Sequence, residues 1–304
     1  MSAPRIGVAI PAWRAADFLG ETLSSVLNQA DLSLNVYVSI DGEDDGTAQA
    51  CADLLRDPRV HVVAQRERLG WVRNTRAALA LAGESGADFV CVQPHDDLMT
   101  PGYLSALLQT ALDNPGAAIV YGDIECFGNQ EGLIVQHSVR GAPIDRQVEL
   151  LTRHYNAVAF RGLMPNATWR HAPLPSNDDG DFACDAVWMA GMARCGDLVR
   201  APGVIYRKRF HAANTHGAWK GRSSHEIEER WLRHCVEITR EALRACGSGD
   251  DVARVMQAAI ERAAYARMAP ASAHFAGLDA ETRHDLISRF QRLCAERIRF
   301  QAFD

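Results

Sequence analysis

The segment with the clearest potential for chemistry is "PHDDLMTP", where Asp96 and Asp97 are adjacent between an apolar run and a helical pattern. An aspartate before a helix usually caps it by accepting backbone N–H groups. Here Thr100 followed by Pro101 is the better cap and first-turn pair, because proline has no N–H to leave unpaired. Two carboxylates about 6 Å apart repel by about 2 to 3 kcal/mol at an effective dielectric of about 20, unless a cation or donors lie between them. The pair therefore indicates either a site for a hard divalent cation or a solvated acidic turn.

Composition and charge limit the class of protein. A chain of 304 residues with 47% hydrophobic and 23% charged content can bury one large core or two smaller ones. Its formal charge of −6 gives no overall attraction to nucleic acid. The start "MSAPRIGVAIPAW" lacks a signal-peptide pattern, so we expect a cytoplasmic protein, free or at a membrane surface, that does not bind nucleic acid. Its eight cysteines form no C-x-x-C pair, and we expect them to be reduced core residues.

The first 125 residues alternate short apolar runs with helical patterns. Predicted strands are "RIGVAIP", "LNVYVSI", "VHVVA", "DFVCVQ" and "AAIVYGD", and a helical pattern follows each of the first four. This alternation predicts an α/β fold with a doubly wound, mostly parallel sheet. The loops "PAWR", "DGEDDG", "QRERLG" and "PHDD" follow strands, so we expect them at one edge of the sheet, where ligands bind. Their carboxylates, guanidiniums and aromatic ring suit a nucleotide base, a diphosphate and a cation.

The rest of the chain shows other patterns. From 126 to 216 the periodicity is broken, and "RGLMPNATWRHAPLPSNDDGDF" is the longest irregular stretch, so we expect a second substrate there. From 217 to 304 the pattern is helical, as in "SHEIEERWLRHCVEITREALRAC". We expect these helices to pack on the main body or on another copy of the chain in a homo-oligomer. The sequence thus predicts two halves of one domain, 1–125 and 126–216, and a C-terminal helical extension at 217–304.

Four stretches resemble the motifs of a known family, in order and at suitable spacings. They are "IPAWRAADFLGETLSSVLNQ", "SIDGEDDGT", "ERLGWVRNTRAALALA" and "VQPHDDLMTPGYL". The family 2 glycosyltransferases have a strand ending in P-x-[YW]-N, a strand ending in D-D-G-S-x-D-x-T, an Arg/Asn-Gly stretch opening a helix, and a strand ending in D-x-D-D. The resemblance implies the Rossmann-like GT-A nucleotide-diphospho-sugar transferase fold, with the nucleotide sugar in the first half and the acceptor in the second.

The resemblance also implies a set of site residues. For the nucleotide these are Pro11, Ala12, Trp13, Asp41, Arg68, Arg73, Arg76, His95 and Asp96. Trp13 would form a wall of the base pocket, Asp41 would accept a base N–H, and Arg68 with Arg73 or Arg76 would face the base or diphosphate. For Mn²⁺ or Mg²⁺ the resemblance implies Asp97, with Asp96 near the ribose and metal and His211 as a third ligand. His95 is either a ligand or a support for one.

The candidate for the catalytic base comes from the same resemblance. The family's base lies in an acidic pair that opens a helix ending in Gly before a strand. The stretch "FACDAVWMAGMARCGDLVRAPGVIYRKRFH" has that layout, with Asp185 kept and Cys184 replacing the first acid. The run "YRKRFHAANTH" resembles the closing Y-R-x-H segment, which also implies Arg207 or Arg209 as a phosphate contact.

Each assignment has a simpler interpretation, which the sequence leaves open. Trp13 could fill the core, Asp41 could close a turn, Arg73 and Arg76 could be solvated, Asp185 could be an exposed first-turn acid, and His211 could be structural. The chain also departs from the family pattern, with Pro94 for the first aspartate of D-x-D-D and Arg14 where asparagine is frequent.

Together these observations predict an inverting transferase. Sugar would move from a nucleotide diphosphate, UDP by family habit, to a hydroxyl of a glycan, a lipid-linked sugar or a small molecule. A divalent cation would neutralise the leaving diphosphate and Asp185 would take the acceptor proton, with Asp179 or Asp181 as the alternative base. The other candidate function is a non-catalytic nucleotide-sugar-binding module, which Pro94 and Cys184 favour.

Overall fold

The structure is a computed structural model and describes residues 3–42, 46–153, 157–212, 222–265 and 272–298. The strands are β1 Arg5–Ala12, β2 Ser33–Ile40, β3 Val60–Ala64, β4 Phe89–Val92, β5 Leu98–Met99, β6 Ala117–Gly128, β7 Gly132–Ile134, β8 Leu163–Pro165 and β9 Asp197–Phe210. The helices are α1 Leu19–Leu27, α2 Thr47–Ala50, α3 Trp71–Glu84, α4 Tyr103–Asp113, α5 Pro143–Thr152, α6 Asn166–His171, α7 Cys184–Cys195, α8 Ser224–Leu243, α9 Gly249–Tyr265, α10 Ser272–Ala276 and α11 Ala280–Arg297. Short 3₁₀ helices span Leu54–Arg56 and Ala157–Arg161.

The strands form one sheet in the order β3-β2-β1-β4-β8-β6-β9-β5, with β7 beside β6. Neighbours among β1 to β4 are parallel, and so are β6 and β9. The short strands β5, β7 and β8 pair antiparallel. Because β4 and β6 both run against β8, the six longer strands share one direction. The predicted mostly parallel sheet is confirmed, and these strands end at one edge.

Both faces of the sheet are covered, because successive strand residues point to opposite sides. In β1, Ile6, Val8 and Ile10 pack in a core with α1 and α4. Ala9 packs in the other core, with α3 and the helices of the second half. The predicted doubly wound arrangement is therefore confirmed, and the end of β1 lies between two helical layers.

Two predicted helices differ from the structure. The helical pattern that follows the second predicted strand, "GTAQACADLLRD" at 46–57, forms only one helical turn, α2, followed by the 3₁₀ helix Leu54–Arg56. Only Thr47 and Cys51 are buried there, and so short a helix has little stability of its own. The predicted cap at Thr100 is also wrong. Its Oγ1 donates to the Ile205 carbonyl at 2.6 Å, and α4 begins at Tyr103 after a glycine with a φ of 76°.

The C-terminal helices pack on the main body. Buried residues of α8, α9 and α11, including Trp231 and Phe290, share one core with residues of α5 and α7 such as Leu150 and Trp188. The sequence left open whether these helices pack on the main body or on another copy of the chain. The buried faces pack on the main body, and association between copies stays a prediction. The expected boundary at 216/217 falls outside the described residues. In the part of the chain that the structure describes, no helix combines the length and apolarity needed to span a membrane.

Candidate active site

Two histidines connect the acidic loop after β4 to neighbouring strands. His211, just beyond β9, has its Nε2 at 2.9 Å from Oδ2 of Asp96. His95 has its Nδ1 at 3.1 Å from the carbonyl oxygen of Pro11 in β1. Burial alone would raise the pKa of Asp96, but the charge of His95, the His211 hydrogen bond and the charge of Arg161 together lower it. Asp96 is therefore an ionised, partly exposed carboxylate beside an imidazole at the edge where the strands end.

Asp97 has different surroundings from its neighbour. Its side chain is 1% exposed, and its Oδ2 accepts from Nε of Arg161 at 2.7 Å. Its Oδ1 accepts from the backbone N–H of Arg209 at 2.8 Å, and the Tyr206 hydroxyl lies 3.4 Å from Oδ2. Because the Asp97 side chain is almost fully buried and bonded to Arg161, this packing favours a structural role for it, and its role as the main metal ligand stays a prediction. The sequence could not distinguish the two carboxylates, since their orientation depends on partners far along the chain.

The surroundings of Asp96 and His211 bear on whether a metal ion could bind there. Among the residues that the structure describes, no three His, Cys, Asp or Glu side chains come together in a way that could hold a metal ion. Within the described residues, Asp96 and His211 are the pair that could contribute to a cation site, and a substrate could supply further ligands. Phosphate oxygens of a nucleotide commonly supply such ligands.

Two buried cations interact electrostatically with both the acidic loop after β4 and Asp185, which lies in the first turn of α7. The charge of Arg161 acts on both Asp97 and Asp185, and so does the charge of the buried Lys208. Burial raises the pKa of Asp185 in spite of these cations, and burial lowers the pKa of Lys208 to about 8. A carboxylate with a raised pKa in such a site has the chemistry of a general base.

Sequence reasoning missed Arg161 and Lys208. Arg161 lies in the irregular stretch, where no periodicity indicates burial. Lys208 lies in the run "YRKRFH", where strand alternation could have identified it, because neighbouring side chains point to opposite faces. Arg207 and Arg209 both lie against the Phe127 ring, with guanidinium carbons 4.5 and 4.6 Å from its centroid, while the charge of Lys208 interacts with Asp97 and Asp185.

Trp13 follows β1 and is covered by cations. The guanidinium carbon of Arg68 lies 3.8 Å from the ring centroid, and that of Arg14 lies at 4.7 Å. Trp13 is half-buried and belongs to neither core, so it does not act as core filler. Pro11 and Ala12 form the strand end beneath it, with Ala12 fully buried. The Trp13 indole is partly exposed, and the Arg68 guanidinium lies over one face of its ring.

Asp41, at the end of β2, holds the loop that opens α3. Its Oδ1 accepts from the backbone N–H of Leu69 at 2.5 Å, and its Oδ2 accepts from that of Gly70 at 3.0 Å. A carboxylate oxygen can accept more than one hydrogen bond, so these contacts leave some acceptor capacity. The turn-closing role that the sequence left open is present, and it joins the second and third loops of the edge.

The two candidate arginines of α3 have different surroundings. Arg73 is on the exposed face of α3, with its side chain 59% exposed and 3.9 Å from the Glu67 carboxylate. Arg76 donates from Nε to the carbonyl oxygen of Leu174 at 2.5 Å, so it connects α3 to the irregular stretch of the second half. Arg73 therefore has the surroundings of a solvated residue, and Arg76 faces the second half of the domain.

The alternative bases are both engaged in local structure. Asp179 accepts from Nε of Arg230 at 3.2 Å. Asp181 accepts from the backbone N–H of Asn177 at 3.1 Å. Asp185 also accepts a backbone N–H, from Ala186 at 2.9 Å, and burial raises its pKa, so it stays the candidate base.

The family model for glycosyl transferase family 2 matches residues 7–171, which is more than half of the chain. The chain belongs to glycosyl transferase family 2. It is therefore an enzyme that transfers sugar, and the resemblance expected from its four motifs is confirmed.

Two relatives carry glycosyltransferase names. An uncharacterized glycosyltransferase of Haemophilus influenzae is 22% identical over 234 residues, which cover 74% of this chain and 70% of that protein. The GalNAc(5)-diNAcBac-PP-undecaprenol beta-1,3-glucosyltransferase of Campylobacter jejuni is 26% identical over 161 residues, 52% of this chain and 50% of that protein.

Solved structures share the fold at low identity. S. aureus TarS in complex with UDP superposes with a TM-score of 0.66 at 13% identity, covering 96% of this chain and 82% of the other. The mannosyltransferase PcManGT of Pyrobaculum calidifontis, solved with GDP-Man and Mn²⁺, has a TM-score of 0.55 at 17% identity, with coverages of 98% and 89%. The fold of the family 2 chain is the GT-A fold.

Proposed function

We propose that this enzyme is an inverting, metal-assisted glycosyltransferase that uses a nucleoside-diphosphate sugar, with UDP as the nucleotide. The observation that carries the proposal is the Asp96–His211 pair at the edge where the parallel strands end. Arg161 links this pair electrostatically to Asp185. The TarS complex with UDP and the PcManGT complex with GDP-Man and Mn²⁺ support the donor class and the metal.

Asp96 and His211 are the residues that would hold Mn²⁺ or Mg²⁺. Two neighbouring ligands of an octahedral ion with bonds of about 2.1 Å are about 3 Å apart. The observed distance of 2.9 Å between Asp96 Oδ2 and His211 Nε2 fits that spacing. A carboxylate oxygen with a lowered pKa and an imidazole nitrogen are also suitable donors for Mn²⁺. In this proposal Asp97 anchors the loop through Arg161 and does not bind the ion.

The nucleoside would lie beyond the ends of β1 and β2. Trp13 offers an aromatic face of the kind on which a base stacks, and the Arg68 guanidinium that covers it would move aside or stack on the base. Asp41 would accept a base N–H while it holds the loop at Leu69 and Gly70. Pro11 and Ala12 would supply the backbone floor of this pocket.

The transfer would take place in one displacement between the two halves of the domain. A bound divalent cation supplies charge neutralisation for the leaving diphosphate. Asp185 takes the proton from the acceptor hydroxyl, and its raised pKa brings it closer to working pH than an ordinary aspartate. Attack from the face opposite the leaving group inverts the configuration of the sugar.

The acceptor would approach over the irregular stretch between 160 and 185. A glycan, a lipid-linked sugar or a small molecule with a free hydroxyl meets the chemical requirement. The C. jejuni relative is named for a lipid-linked acceptor, which supports including that class. A cytoplasmic location, free or at a membrane surface, suits a nucleotide-sugar donor.

A thermal-shift screen with UDP and GDP, each with and without Mn²⁺, tests the donor site. A nucleotide at about 100 times its Kd stabilises a protein by about 2.7 kcal/mol, so a specific base gives a large shift. We expect UDP to stabilise the enzyme more with Mn²⁺ than without, and Asp96→Ala to abolish that difference. Asp53→Ala is the matched control, because its side chain is 94% exposed. A Mn²⁺ response that persists in Asp96→Ala would contradict the metal assignment.

A further inference from the structure

The segment that leads into the helix of Asp185 has an unusual backbone. Gly180, Asp181 and Ala183 have φ values of 67°, 59° and 51°. Residues other than glycine rarely adopt this left-handed backbone region. The strained conformation persists only where surrounding contacts hold it in place. The segment therefore needs bonds that fix it, and Asp185 lies two residues beyond its end.

Part of the fixation is internal, through Asn177. Its backbone N–H donates to Oδ1 of Asp181 at 3.1 Å, and its Nδ2 donates to the Phe182 carbonyl oxygen at 2.9 Å. Its Oδ1 accepts from the backbone N–H of Asp179 at 3.0 Å. These bonds close the loop on itself, but they do not fix it relative to the rest of the enzyme.

The external fixation comes from α8. Arg230 donates from Nε to Oδ1 of Asp179 and from Nη2 to its carbonyl oxygen, both at 3.2 Å. The same guanidinium carbon lies 5.2 Å from the centroid of the Phe182 ring. Arg233 adds a second cation, 3.7 Å from Oδ2 of Asp179. The side chains of Arg230 and Asp179 are only 16% and 23% exposed, so solvent screens their pairing less than that of a surface ion pair.

Helix α8 is itself held by the other C-terminal helices. The indole N–H of Trp231, the neighbour of Arg230, donates to the Ala263 carbonyl oxygen of α9 at 3.2 Å. Arg289 of α11 bonds to Glu228 of α8 at 2.8 Å. The loop is thus anchored to a helical unit that packs against the main body.

We infer that Arg230 is a positioning residue, through which the C-terminal helices hold the loop at 177–183 so that Asp185 is aligned for proton transfer. This inference rests on the proposed role of Asp185. A catalytic group that moves by about 1 Å can lose about 10²-fold in rate, so removal of the anchor would slow turnover without affecting the distant nucleotide pocket.

The test compares Arg230→Met, Arg230→Lys and Asp179→Asn with the wild-type enzyme. Release of nucleoside diphosphate from UDP-GlcNAc and from GDP-mannose, with Mn²⁺ and water as acceptor, gives kcat and the donor KM. We expect Arg230→Met and Asp179→Asn to lower kcat by about 10- to 100-fold with the donor KM and the UDP thermal shift unchanged. Arg230→Lys should recover part of the loss. Arg240→Met is the control, because the half-exposed Arg240 side chain pairs locally, with Glu237 of the same helix.

A double variant shows whether Arg230 acts through Asp185. If it does, Asp185→Asn combined with Arg230→Met is no slower than Asp185→Asn alone. A further multiplicative loss, or a wild-type kcat in Arg230→Met and Asp179→Asn, would overturn the inference. Failure of the proposed function gives a different result: if Asp185 is not the base, Asp185→Asn alone keeps full turnover. If Arg230→Met does not fold, Asp179→Asn gives the same comparison, because it replaces the side chain with one of nearly equal size.

Discussion

At the scale of single residues, Asp96 and Asp97 show how strongly the partners of a carboxylate determine its role. Asp96 lies beside His211 with a lowered pKa. Asp97 is 1% exposed and paired with Arg161. Removing one partner of a buried ion pair leaves an uncompensated charge, whereas removing a partly exposed carboxylate does not.

The first prediction at this scale concerns stability. Asp97→Ala should lower the free energy of unfolding by about 3 to 5 kcal/mol, because Arg161 would remain buried without its carboxylate. Asp96→Ala should change it by less than about 1 kcal/mol. Urea unfolding of both variants at pH 7 measures the difference. An Asp97→Ala protein as stable as the wild type would show that the buried pair has been misassigned.

A second prediction at this scale concerns the base pocket. Trp13→Ala should weaken UDP binding by about 1 to 3 kcal/mol, the usual contribution of a base stacked on an aromatic ring. Arg73→Ala should leave UDP affinity unchanged, because that side chain is 59% exposed and directed to solvent. Isothermal titration calorimetry gives both values. Wild-type affinity in Trp13→Ala would rule out the indole as a wall of the pocket.

At the scale of elements, α8 both bonds to the loop at 177–183 through Arg230 and buries a histidine. His234 is 2% exposed, and among the described residues neither of its ring nitrogens finds a hydrogen-bond partner. It lies beside Trp231, with ring centroids 5.4 Å apart. Burial lowers the pKa of His234 to about 3, and the charge of Arg262 acts in the same direction. The imidazole is therefore neutral in the folded enzyme at working pH.

A pH dependence of stability follows from this histidine. In the unfolded chain His234 titrates near its ordinary pKa of about 6.5, so below that value the unfolded state binds one more proton than the folded state. Stability should fall by about 1.4 kcal/mol per pH unit between about pH 6.5 and pH 3 on account of this group. His234→Leu, which fills the same apolar site, should remove that part of the slope. Urea unfolding at pH 7 and pH 5 tests this, and identical slopes in both proteins would contradict it.

Strands and loops differ in how far they could be predicted. The first four strands were predicted nearly residue for residue, because each is a short apolar run between polar loops. The start of α4 was missed, because Thr100 bonds to Ile205, which lies 105 residues further along the chain. The broken helix after β2 was missed because its alanine-rich sequence favours a helix, while only Thr47 and Cys51 find a buried surface.

At the scale of the whole molecule, the sheet brings the two halves of the domain together. Antiparallel pairing of β5, which directly follows Asp97, with β9 places His211 near the loop after β4, where it meets Asp96 from 115 residues away. The sequence motifs placed Asp96, His211 and Asp185 among the candidate site residues, since each lies at a fixed position relative to a strand or a helix. The roles of Arg161 and Arg230 could not be predicted, because they depend on which distant carboxylate each one meets.

The measurement that tests the account most directly is donor turnover in Asp185→Asn. The substitution keeps the size of the side chain but removes its ability to accept a proton. Turnover of UDP-GlcNAc or GDP-mannose with Mn²⁺ should fall by about 10² to 10⁴, the usual contribution of a general base, while UDP affinity by calorimetry stays at the wild-type value. Unchanged turnover in Asp185→Asn, or a loss of UDP binding together with turnover, would contradict the assignment of Asp185 as the base that serves this nucleotide-sugar site.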